Sequence, residues 1–134
     1  MPSLTPAPLA ILLFQPNLAD RPDRRSAIDL AHELLRTGAA VDVVAPMGGG
    51  PLRAELDPAV GQIDLAKRHA ATSPLALARM VAERQPALLA VPRDVGWVGR
   101  LALWLARSKA PLVVLTGKVE ADLAAIRAAT PRSG

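Results

Sequence analysis

The segment Leu9-Ala-Ile-Leu-Leu-Phe14 is a continuous apolar run that ends in the turn signal Gln15-Pro16-Asn17. A short apolar run closed by a turn is typical of a parallel β-strand whose two faces are both buried. We therefore predict that residues 9–14 form the central strand of a parallel sheet.

An amphipathic helix and a second strand are predicted after this run. From Pro22 onward, apolar residues recur at three- and four-residue spacing until Gly38, which is the pattern of a helix that covers one face of a sheet. Residues 41–45 are predicted to form the second strand, closed by Pro46. Asp42 lies within that strand and indicates a position near the edge of the sheet.

The rest of the chain continues this alternation. Strands are predicted over residues 60–65, 87–91 and 112–115, and helices over residues 73–85, 98–108 and 120–129. Alternating strands and helices imply parallel pairing with right-handed crossovers. We expect a single α/β domain over residues 1–134, with tails at 1–8 and 130–134. Its fold would be a doubly wound parallel sheet of about five strands, in a Rossmann-like or flavodoxin-like three-layer sandwich.

Composition excludes several classes of function. The chain has 134 residues and no cysteine, so it can form neither a disulfide nor a thiolate zinc site. The net charge is +4, but the basic residues are scattered without interleaved aromatics, and we expect no nucleic-acid partner. Arg100 and Arg107 interrupt the longest apolar stretch, so no membrane span is predicted. A cytoplasmic location is expected, with peripheral attachment at the inner face of the membrane left open.

The order of segments resembles a known family. A strand ends at Gln15-Pro16-Asn17-Leu18, and the helix Ser26-Ala-Ile-Asp-Leu-Ala-His-Glu-Leu-Leu-Arg36 leads to Val41-Asp-Val-Val-Ala-Pro46. The block Gly50-Pro51-Leu52-Arg53-Ala54-Glu55-Leu56 then precedes the strand at 60–65. Over about residues 9–118 this looks like the N-terminal, acceptor-side lobe of the large group of retaining GT-B glycosyltransferases.

The resemblance implies a role in glycan transfer. In that family the second lobe supplies the nucleotide-sugar site, so this chain would be a truncated or stand-alone lobe, inactive alone and without a cofactor of its own. Its partner would be a glycan, a lipid-linked acceptor or a donor-binding subunit. The chain departs from the family pattern at residues 19–25, which contain no glycine, and at Thr116-Gly117-Lys118, where many members place a histidine or aspartate.

Ligands of such sheets bind beyond the carboxyl ends of the strands. Acceptor or phosphate candidates there are Asn17, Arg24, Arg25, Gly48, Gly49, Gly50, Arg93 and Lys118. The three glycines lack the Lys-Ser or Lys-Thr of a P-loop, so a flexible loop is the alternative. Asp94 is the one candidate for a catalytic base, against a helix N-cap or a surface charge. No metal site is predicted, and neither His32 nor His69 fits a catalytic position.

Three residues of the third predicted helix are candidates for lipid contact. By the three- and four-residue rule, Arg100, Trp104 and Arg107 share one side of the helix and could touch anionic lipid. The alternative is that Trp104 packs against the sheet while the arginines extend outward.

A second family gives a weaker resemblance. Gly96-Trp97-Val98-Gly99-Arg100 is similar to a shortened nucleotide loop of universal stress proteins, although that loop ends in Gly-Ser or Gly-Thr. This resemblance implies a binding or interaction module that forms a homodimer, for example through an edge strand at 112–115. A small-molecule enzyme is a third possibility, but no nucleophile-base pair supports it.

Overall fold

The computed structural model describes residues 9–15, 21–45, 51–65 and 74–129, and the statements below concern those residues. The strands are β1 (Ala10–Phe14), β2 (Ala40–Ala45), β3 (Gly61–Asp64), β4 (Leu88–Pro92) and β5 (Leu112–Leu115). The helices are α1 (Pro22–Arg36), α2 (Pro74–Arg84), α3 (Gly96–Leu105) and α4 (Val119–Ala129). Two 3-10 turns cover Pro51–Glu55 and Arg93–Val95.

The five strands form one parallel sheet in the order β3-β2-β1-β4-β5. The prediction that residues 9–14 supply the central strand is confirmed, and β5 is an edge strand, as expected. This is the Rossmann-like order, and the winding reverses between β1 and β4. The class of fold is therefore a Rossmann-like α/β sandwich.

Helices cover both faces of the sheet. One face packs against α1 and α4, around buried residues that include Ile11, Leu13, Leu30, Leu34 and Ile126. The other face packs against α2 and α3, around Leu12, Phe14, Leu77, Leu89 and Val98. Because side chains alternate along a strand, consecutive residues of β1 supply the two opposite cores.

Asp42 is an acidic residue on β2, the strand next to the edge strand β3, and its neighbours explain how it is accommodated there. Asp42 lies opposite Gly61 in the register of β2 and β3, and its carboxylate occupies the space that a side chain at Gly61 would need. The same carboxylate forms an ion pair with Arg84 at the end of α2, with an N to O distance of 3.1 Å. Glycine on β3 therefore makes room for an acid on β2.

Helices α1 and α3 end with the same hydrogen-bonded motif. The N–H groups of Gly38 and Ala39 donate to the carbonyls of Leu35 and Leu34, and Gly38 has the positive φ of 96° that glycine adopts without strain. At the end of α3, Arg107 takes the corresponding position with φ 54°, and the N–H of Ser108 donates to Leu103. The helix predicted over residues 98–108 therefore ends earlier, at Leu105.

Candidate functional site

The carboxyl ends of β1 and β4 lie side by side at the point where the winding reverses. Gln15 follows β1, and the 3-10 turn Arg93–Val95 follows β4. Open parallel sheets bind ligands in the crevice at such a switch point. These two strand ends therefore define the candidate site.

Gln15 is the most unusual polar residue of this edge. It is 1% exposed, its backbone N–H donates to the Val44 carbonyl at 2.8 Å, and its Nε2 donates to the Phe14 carbonyl at 3.0 Å. Its Oε1 is buried and accepts no hydrogen bond within the described part of the chain. A buried acceptor without a partner costs about 1–3 kcal/mol, so this oxygen is a candidate to bind a hydroxyl or N–H donor.

The start of α1 lies beside the same strand end. Its N-cap residue is Arg21, whose side chain makes no capping hydrogen bond, and Pro22 occupies the first turn. The N-cap side chain itself thus satisfies none of the first backbone N–H groups of the helix. Arg24, a predicted phosphate ligand in this turn, is buried, with 4% of its surface exposed.

Arg25, the neighbouring candidate, has a carboxylate partner. Its guanidinium lies 3.1 Å from Glu55 Oε1, and both side chains are about half exposed. The pair links α1 to the 3-10 turn Pro51–Glu55. The positive charge of Arg25 is therefore already compensated by Glu55 within the protein.

The hydrogen-bond donors of the loop after β5 are occupied by a carboxylate of the chain itself. Asp122, 3% exposed, accepts from both the backbone N–H and the hydroxyl of Thr116 at 2.8 Å, and from the Gly117 N–H at 3.2 Å. A phosphate bound to these donors would have to displace Asp122. Lys118 is exposed beside this loop, and its own N–H donates to Thr116 Oγ1 at 3.3 Å.

The predicted polar residues after β4 are at the surface. Arg93 and Asp94 are both exposed on the 3-10 turn. Asp94 is not the N-cap of α3, because that position belongs to Val95. An exposed carboxylate lacks the desolvation that usually tunes a catalytic acid or base, so the geometry favours a surface charge at Asp94.

Two exposed apolar residues lie at the same edge. Leu75 and Trp97 are the second residues of α2 and α3, and they are 60% and 48% exposed. Helices that connect parallel strands begin at the carboxyl edge of the sheet. The sequence does not mark this pair as a surface feature, because Leu75 fits the apolar periodicity of α2 and Trp97 lies in the segment that resembles a nucleotide loop.

The candidates for lipid contact are all exposed. Arg100 and Trp104 lie on the outer side of α3, and Arg107 follows its end. Trp104 is 74% exposed, so the alternative that it packs against the sheet is wrong. Gly99 faces the sheet instead, against Val91 and Leu112, and Ala102 is buried.

The remaining predicted residues add no group to the candidate site within the described part of the chain. Asn17, Gly48, Gly49 and Gly50, like His69, lie outside the described residues. His32 lies on α1, where its Nε2 accepts the backbone N–H of Asp57 at 3.0 Å, which is a structural contact. Within the described ranges, no group of three or more histidines and acids is placed to hold a metal ion. No helix in those ranges has the length and apolar character needed to cross a bilayer.

Comparison with known proteins does not assign this chain to a family. No model of a known protein family matches this sequence, and no curated protein is significantly similar to it. The residues at the carboxyl edge are therefore the main indication of function.

Proposed function

We propose that this chain is the acceptor-side lobe of a GT-B glycosyltransferase. In this proposal a glycan or lipid-linked acceptor binds at the carboxyl edge between β1 and β4, and transfer requires a donor-binding lobe or partner subunit. The observation that supports it most is the buried Oε1 of Gln15, which has no hydrogen-bond partner in the described residues at the switch point.

The chemistry of the edge suits a sugar. A sugar hydroxyl could donate to the Gln15 amide oxygen, while the apolar face of a sugar ring could pack on an exposed indole such as Trp97. Sugar-binding sites need this combination of a directed polar group and an apolar surface. Cytoplasmic location is part of the proposal, because the donors of such enzymes are cytoplasmic nucleotide-sugars.

Two of the predicted phosphate contacts at this edge are already occupied. Asp122 occupies the backbone donors of the loop after β5, and Glu55 neutralises Arg25. A phosphate needs free donors or uncompensated cations. Both contacts support the part of the proposal that places the nucleotide-sugar on another lobe, with no cofactor bound to this one.

A universal-stress-like homodimer is the second candidate function. It is favoured by β5, which is an edge strand of the sheet in the described part of the chain and could pair with the same strand of a second copy. The strand order does not separate the two candidates, because both families share it.

Titration of the full chain tests the two candidates together. The probes are neutral oligosaccharides, UDP-glucose and ATP, followed by amide chemical shifts, with light scattering for the oligomeric state. We expect saturable shifts at the β1 and β4 ends with oligosaccharide alone, from a monomer. A stable dimer that binds ATP would replace the glycosyltransferase proposal with the alternative.

Two variants locate the binding. Gln15→Leu removes the acceptor oxygen, and Trp97→Ala removes the indole at the edge; each should weaken oligosaccharide binding several-fold. Trp104→Ala is the matched control, because it removes an exposed indole of the same helix away from the edge. Equal effects of the two tryptophan variants would contradict a site at the carboxyl edge.

A further inference from the structure

Helix α3 is apolar on both its inner and its outer side. The inner side buries Gly96, Val98, Gly99, Ala102 and Leu103. The outer face of α3, defined here by Trp97, Leu101, Trp104 and Leu105, is 48%, 37%, 74% and 41% exposed. A helix that is apolar all round is normally covered on all sides, so the outer face is expected to have a partner.

The four residues form one continuous stripe. They are spaced at four, seven and eight residues from Trp97, which places them on one side of a helix over about two turns. Both tryptophans of the chain belong to this stripe, whereas the cores on both faces of the sheet contain no tryptophan. The largest apolar side chains of the protein are therefore on its surface.

The segment that carries the stripe is basic. Residues 95–118 contain four basic residues and no acid, and the exposed Asp94 lies three residues before Trp97. Arg100 is exposed on α3, and Arg107 and Lys109 are exposed just after its end. Tryptophan and leucine flanked by an excess of cations are the composition of helices that lie on anionic lipid.

We propose that the outer face of α3 docks on an anionic phospholipid surface, with the helix axis parallel to the membrane. Trp97 and Trp104 would enter the headgroup region, and Arg100, Arg107 and Lys109 would contact lipid phosphates. This proposal does not depend on the proposed function: Trp97 belongs to both surfaces, but Leu101, Trp104 and Leu105 continue the outer face along α3, away from the carboxyl edge.

Two observations favour lipid over other occupants. A second copy related by a two-fold axis would place the same basic face against itself, with no acid within residues 95–118 to compensate its cations. The outer face is also the convex side of a single helix, and a fluid lipid surface accepts a convex stripe without a complementary shape. An acidic protein would satisfy the charge but would have to supply a fitting groove.

Intrinsic fluorescence reports on this face directly, because both tryptophans of the chain lie on it. The full chain is mixed with vesicles of phosphatidylcholine alone, or of phosphatidylcholine with phosphatidylglycerol. We expect a saturable blue shift of the emission and co-flotation with the phosphatidylglycerol vesicles only, both reduced by added salt. Unchanged emission and no flotation with folded protein would overturn the proposal.

Charge variants test the cations with both tryptophans in place. Arg100→Gln and Arg107→Gln should each lower the vesicle partition constant by about fivefold. Arg36→Gln is the matched control, because it removes an exposed arginine from α1 in the opposite layer. Equal losses of vesicle binding in all three variants would mean that binding depends only on the net charge of the protein, which would contradict docking through α3.

Apolar variants test the stripe itself. Leu101→Gln combined with Leu105→Gln should abolish the blue shift, whereas Ala125→Gln, on the exposed side of α4, should leave it unchanged. Two other results would overturn the proposal in favour of a different occupant. These are a lipid-free dimer whose tryptophan emission is already blue-shifted, and a blue shift with polyglutamate but not with vesicles, which would indicate an acidic protein.

Discussion

The layer of α1 and α4 and the layer of α2 and α3 pack on opposite faces of the same sheet, but α1 and α3 differ in the side chains that they leave exposed. Helix α1 buries Leu30 and Leu34 and exposes charged residues such as Arg36. Helix α3 buries Gly99 and Ala102, while Trp104 lies outside. Helix α1 is therefore amphipathic in the usual way, with an apolar inner side and a charged outer side, whereas α3 has apolar residues on both sides.

The difference follows from how closely each helix approaches the sheet. A Cβ atom at Gly99 would lie 2.8 Å from Val91 Cγ1 and 2.9 Å from Leu112 Cδ1. Helix α3 therefore approaches β4 and β5 at Gly99 at a distance that fits no larger side chain. Val98 and Leu103 are buried elsewhere on the same helix, whereas both tryptophans are left exposed. Which apolar residues of α3 are buried thus depends on the space available at each position as well as on hydrophobicity.

The largest expected effect separates buried from exposed leucines in the two layers. Leu30→Ala on α1 should lower the free energy of unfolding by about 3 kcal/mol, because it leaves a cavity at a position that is 1% exposed. Leu101→Ala on α3 should cost less than about 1 kcal/mol, because Leu101 is 37% exposed. Chemical denaturation measures both. Similar costs would mean that the outer face of α3 is covered in the free protein.

A second prediction concerns the close approach of α3. Gly99→Val should lower stability by about 2 kcal/mol, because the added methyl groups would overlap Val91 and Leu112. Gly96→Ala on the same helix is the control. Its Cβ would meet only Val114 Cγ2, at 3.9 Å, so stability should change by less than about 0.5 kcal/mol. If Gly99→Val were tolerated equally well, the short distance between helix and sheet would not explain the exposed tryptophans.

The smallest expected effect compares the ends of α1 and α3. Arg107→Gly should raise stability by about 0.5 kcal/mol, because glycine adopts the positive φ of this position without strain. Gly38→Ala is the mirror experiment at the end of α1, and it should lower stability by about 1 kcal/mol. Thermal unfolding of both variants checks the signs. A loss of stability in Arg107→Gly would show that the arginine side chain contributes more than the strain costs.

Much of the fold was predictable from local patterns. The apolar run at 9–14 indicated the central strand, and the three- and four-residue spacing that ends at Gly38 indicated α1. Strand and helix alternation was sufficient for parallel pairing, because short crossovers allow few other arrangements. The location of the site at the strand ends followed from the same rule.

The details of the candidate site were not predictable in this way. The unpartnered Oε1 of Gln15 depends on which groups surround it after folding, and the contact of Asp122 with Thr116 depends on the path of the loop after β5. Arg25 and Lys118 were equal candidates as isolated cations. The fold paired the first with Glu55 and left the second beside a loop whose donors are occupied.

By itself the sequence determined which segments are strands and helices, and therefore the Rossmann-like class, because these depend on periodicity and on glycine and proline positions. Only the tertiary structure decided which side of α3 faces the sheet. That helix is apolar on both sides, so its periodicity does not choose between them. Volume contributes to the choice, because Gly99 lies against Val91 and Leu112, where no larger side chain fits.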